Sequence, residues 1–154
     1  MYQPRKMGLD VKVAEMPLDN VLEDLHQHLM LGQEILAVVE REGQALRHAQ
    51  GEALVPISAL KKNLLPRLTQ SVHRLRQHRL RWQQLAAAER AQHAGIAPLL
   101  RQNQDLIMKI IVLDRENEQT LLRLGLLPAD QLPPAQRQQG HFVADLYRRQ
   151  GGKE

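Results

Sequence analysis

Leucines and residues that can stand in for them recur at alternating steps of three and four along this chain, and few folds accept that spacing. Such steps return to one face of an α-helix, whereas a half-buried strand needs a step of two. The first stretch, residues 18–49, carries Leu22, Leu25, Leu29, Gly32, Leu36, Val39, Gly43 and Leu46 in this rhythm, with Val21 and Ile35 widening the seam. The second, residues 58–94, carries Leu60, Leu64, Leu68, Val72, Leu75, Trp82 and Leu85. The third has the cleanest register: Leu99, Asn103, Leu106, Ile110, Leu113, Asn117, Thr120 and Leu124, thickened by Leu100, Ile107 and Leu121. Stripes of this kind bury themselves against one another in heptad fashion.

Composition agrees. The 27 leucines outnumber the valines, isoleucines and threonines together, and aromatic residues make up 3% of the chain. Sheets favour β-branched and aromatic side chains, so the composition argues against a sandwich, barrel or doubly wound sheet. A chain of 154 residues suits one domain. Short breaks make neighbouring helices antiparallel. The predicted fold is all-α: an elongated antiparallel three-helix bundle, or a helical hairpin plus a third helix, with a flexible C-terminal tail. Residues 1–17 form an N-terminal arm, 18–125 the bundle, and 126–154 a tail rich in proline and glycine.

Punctuation marks the ends. Asp19 after Pro17 is placed as the first N-cap, and Ser58, after a break from Gly51 to Pro56, as the second. Pro66 predicts a kink or an end within helix two. Gly95 to Pro98 separates helices two and three, and Gly125 suits the left-handed residue after a helix C-terminus. Gly32 and Gly43 on the first seam read either as close-approach points or as tolerated weak spots.

Charge divides by helix. Residues 10–50 hold eight acidic and three basic side chains; residues 61–101 hold nine basic and only Glu89 acidic. Opposite charge favours pairing of the two helices, although an exposed pair contributes only about 0–1 kcal/mol.

Chemistry-bearing constellations are sparse. There is no cysteine, hence no disulfide, thiolate site or cysteine nucleophile. No phosphate-binding loop, dinucleotide fingerprint, nucleophile elbow or HExxH occurs. His26 and His28 diverge on a helix, as do Glu40 and Glu42; His73 and His78 are five apart; Asp24 and His28 share a face but make an incomplete site. Ser71 reads as a helix-surface residue. The sequence therefore predicts no catalytic residues, no metal and no cofactor, and a protein that is not an enzyme. Arg74, Arg76, Arg79 and Arg81 could serve a nucleic acid, but single-strand binders interleave aromatics and only Trp82 is present. Residues 1–16 lack the apolar run of a secretory signal, and no stretch is apolar enough to span a membrane.

In the tail, Phe142, Val143, Leu146 and Tyr147 would share one face of a short helix, suited to a partner groove or to self-docking.

Three passages resemble the FlgN-type flagellar export chaperones. These are ILAVVEREGQALRHA (residues 35–49), LKKNLLPRL (60–68) and LDRENEQTLLRLGLL (113–127). The likeness covers roughly residues 22–127, with Pro66 a departure from an uninterrupted second helix. It implies a bacterial cytoplasmic chaperone that binds hook–filament junction (hook-associated) proteins, prevents their premature assembly and delivers them to the flagellar export machinery. Carried over from the family, partner binding falls on Leu121, Leu124, Leu126, Leu127, Phe142, Val143, Leu146 and Tyr147. The competing expectation is a generic coiled-coil adaptor, regulator or non-flagellar secretion chaperone, including a homodimer; a nucleic-acid-binding bundle is the third.

Overall fold

The computed structural model describes residues 12–126, and every regular element among them is helical. A 3-10 turn, Val13–Glu15, precedes α1 (Leu18–Arg47), α2 (Gly51–Gln84), the short α3 (Ala87–Gln92) and α4 (Ile96–Arg123). No helix among the described residues is long and apolar enough to cross a membrane.

Helix ends depart from the expected caps. Pro17, not Asp19, is the N-cap of α1, and its carbonyl accepts the amides of Asn20 (2.9 Å) and Val21 (3.2 Å). Asp19 instead sits in the first turn, where its charge complements the helix dipole. Ser58 is no cap either, because α2 begins at Gly51. Ile57 is buried and Ala53 and Leu54 pack on the core, so apolar burial carries the helix through the apparent break. Pro56 and Pro66 both lie inside α2, which does not end at either. Each removes the bond to the carbonyl four residues back. Those carbonyls belong to Glu52 and Lys62, both exposed, so water can satisfy them. α2 does stop at Gln84, earlier than its pattern suggests, and α3 lies within the range expected to be a single second helix.

The C-terminus of α4 follows expectation. Gly125 has φ +70°, Gly125 N donates to Leu122 O (3.1 Å) and Leu126 N donates to Leu121 O (3.0 Å). This is the Schellman arrangement. α1 ends the same way, with Gln50 N donating to Ala45 O (2.9 Å), but its left-handed residue is Ala49 (φ 53°).

α1 is the hub. It runs antiparallel to α2 and parallel to α4, and its largest interface is with α4; α2 and α4 touch sparingly. Leu25, Ile35 and Val39 of α1, Leu64, Leu68 and Val72 of α2, and Ile96, Ile107 and Ile110 of α4 form one buried cluster. Met16, from the expected N-terminal arm, joins it, Val13 is also buried, and Arg81 donates to Val13 O (2.6 Å). Trp82, expected in the core, is half-buried against its edge.

Gly32 resolves as a close approach. A Cβ there would lie 2.6 Å from Leu106 Cδ2. At Gly43 the nearest atom would be Asn117 Oδ1, at 3.1 Å.

Candidate functional site

The acidic face of α1 meets the basic face of α2 in two side-chain clusters, one near each end of the hairpin. The pairing of opposite helices was legible in the sequence, but its members are half-buried or buried rather than exposed.

At one end, Glu42 is 4% exposed and accepts from Lys61 Nζ (3.0 Å) and Asn117 Nδ2 (3.0 Å). Lys61 also reaches Asp114 (2.5 Å), so the cluster ties α1, α2 and α4 together. Burial alone would lower the Lys61 ammonium's pKa, but Asp114 and Glu42 outweigh it and hold the group above its ordinary value.

At the other end, Asp24 Oδ2 receives His78 Nε2 (2.5 Å) and Arg74 Nε (2.8 Å), and His28 Nε2 stands 3.3 Å away. His28 Nδ1 bonds Ser71 Oγ (2.7 Å). Burial raises the Asp24 carboxyl's pKa, yet the neighbouring His28, His78 and Arg74 side chains hold it far below the usual carboxylate range. Ser71 and His78 are buried and His28 is half-buried, which corrects the reading of Ser71 as a helix-surface residue. Sequence spacing paired Asp24 with His28 but missed His78, which comes from the next helix. The available signal was charge: a seam-flanking acid on α1 needs a partner on the basic helix.

Of the residues expected to bind a partner, Leu121 is half-buried, while Leu124 and Leu126 are 56% and 54% exposed. They gather at the C-terminal end of α4, joined by exposed Leu122. Leu127, Phe142, Val143, Leu146 and Tyr147 lie outside the described residues. Further back on α4, Met108 and Val112 are also exposed. Three and four residues apart, positions 108, 112, 115, 119 and 122 form a row on the side of α4 away from Asn103 and Ile110.

The arginines considered for nucleic acid are divided. Arg74 is engaged by Asp24 and Arg81 by the Val13 carbonyl. Arg76 and Arg79, with Arg101, line a cleft of about 180 Å³ between the end of α2 and the start of α4, floored by Leu75 and Leu100 and edged by Trp82. Arg74 and Arg81 are thus committed within the fold.

Comparison with protein-family models, curated proteins and solved structures gives no match to this chain in any of the three.

Proposed function

We propose that this chain is a protein-binding helical bundle acting as an export chaperone of the FlgN type, with hook–filament junction proteins as clients and a bacterial cytoplasm as its setting. The observation that carries the reading is the exposed leucine group at the end of α4, Leu122, Leu124 and Leu126. Apolar side chains clustered on a surface mark a place where another polypeptide can bury them. An amphipathic client helix would lay its apolar face there, covered from self-association without any chemical step. Phe142, Val143, Leu146 and Tyr147, the other residues assigned to the client by the resemblance, follow this end of α4 in the sequence and lie outside the described residues.

Deleting residues 140–154 tests this. Client affinity is expected to fall while the helical circular dichroism signal stays near that of the full chain. Unchanged affinity would remove the tail from the binding surface, and no binding by the full chain would remove the chaperone reading itself.

A further inference from the structure

Asp24 and His28 stand one turn apart on α1, and His78 reaches them from antiparallel α2. One ligand atom from each side chain lies within 4.8 Å of the other two. We propose that Asp24, His28 and His78 form a binding site for one divalent ion of the zinc class, a site independent of the apolar end of α4.

Four observations support it. Tetrahedral zinc with bonds of about 2.0–2.1 Å sets its ligand atoms roughly 3.3 Å apart. His28 Nε2 and Asp24 Oδ2 are already separated by 3.3 Å, and the His78 Nε2 to Asp24 Oδ2 edge, 2.5 Å as a hydrogen bond, needs to open by about 1 Å. His28 Nε2 is buried with no hydrogen-bond partner while facing the carboxylate. An ion satisfies that nitrogen, as buried polar atoms require. Ser71 Oγ at 2.7 Å from His28 Nδ1 supplies the outer hydrogen bond that orients ligand histidines, leaving Nε2 to coordinate. The side chains of Asp24 and His28 retain 14% and 12% exposure, which gives the ion a way in.

The donor set chooses the ion. Two imidazoles and one carboxylate suit zinc, cobalt(II) and nickel(II), whereas magnesium and calcium seek oxygen. Arg74 is the opposing feature, since its guanidinium holds the same Asp24 oxygen at 2.8 Å. A carboxylate has two oxygens and about four lone-pair sites, so when the ion takes Oδ2, the oxygen measured above, the Arg74 Nε bond has to pass to Oδ1. The cationic neighbour still weakens metal binding by repulsion, which gives the proposal a distinctive signature.

Cobalt(II) and zinc titrations of the metal-free full chain test it, read by visible absorption and by calorimetry. One cobalt ion per chain is expected, with ligand-field bands that zinc displaces, and a melting temperature that rises on zinc addition because the ion ties α1 to α2. His78→Ala and His28→Gln should each weaken binding more than about tenfold. Arg74→Gln should tighten it by relieving repulsion. His28→Gln retains a side chain of similar size, and circular dichroism confirms that each variant is folded. No binding by the folded wild type overturns the site. So do equal isotherms for wild type and both histidine variants, because binding would then belong to other histidines.

Discussion

Asn103 and Asn117 occupy equivalent positions two heptads apart on α4, and each donates its side-chain amide to an α1 carbonyl 78 residues earlier. Asn103 Nδ2 reaches Leu25 O (3.1 Å) and Asn117 Nδ2 reaches Val39 O (2.8 Å). Both asparagines are buried. A polar group inside an apolar seam is satisfied only in one alignment, so the pair fixes the register of the parallel helices. A slip of either helix would break both bonds to α1, leaving Asn103 only its own-helix bond to Leu99 O (2.9 Å).

That register sets Leu106 against Gly32 and gives the two seam glycines different consequences. Gly32→Ala gains about 1 kcal/mol of helix propensity, but overpacking costs about 1–3 kcal/mol where Cβ meets Leu106. We expect a net loss of about 1 kcal/mol. Gly43→Ala meets the amide oxygen of Asn117 at 3.1 Å and Arg47 Nη1 at an ordinary contact distance of 3.5 Å, a smaller displacement, and is expected to be less destabilising than Gly32→Ala. Urea unfolding of both variants checks the order, and the reverse ranking would contradict the close approach.

Lys61 neutralises two acids at once. Lys61→Met leaves Glu42 buried without its cation, and loss of one member of a buried pair costs about 3–5 kcal/mol. The raised Lys61 pKa means that its contribution is fully present below the unfolded-state value of about 10.4 and is lost as pH climbs through the folded value. The stability gap between wild type and Lys61→Met should therefore be constant from pH 7 to about 10 and narrow above that. Denaturant midpoints across this range measure it.

Ala49 adopts a conformation that glycine tolerates better. Its φ of 53° lies in the left-handed region, at the position Gly125 occupies on α4. A non-glycine residue there costs about 1–2 kcal/mol, part of which glycine returns as unfolded-chain entropy. Ala49→Gly is exposed and is expected to stabilise the chain by about 0.5–1 kcal/mol, visible as a melting-temperature rise. A lower melting temperature would contradict this assignment of the turn.

The seams were legible because burial and helical spacing are one property: Asn103 and Asn117 fell in register with Leu106 and Ile110 before their partners were known. Gly125 was legible for a local reason, since few residues accept its backbone. The start of α2 was not. Gly51 and Pro56 read as a break, but the burial of Ile57 overrides local propensity, which no short window reveals. The Asp24 cluster was half legible. Asp24 and His28 lie one turn apart on a single helix, whereas His78 joins them only through the register of α1 against α2. Leu124 stood in the spacing of the third stripe and Leu126 only in the resemblance; both are exposed, so the buried seam of α4 ends before Leu124.

The most direct measurement is the affinity of the Leu124→Asp, Leu126→Asp double variant for a hook–filament junction protein, by calorimetry beside wild type. Both side chains are more than half exposed, so the bundle should keep its melting temperature. A loss of binding of at least about tenfold, near 1.4 kcal/mol, is expected if these leucines receive the client. Equal affinity in the two proteins, with both folded, would contradict the assignment of this surface.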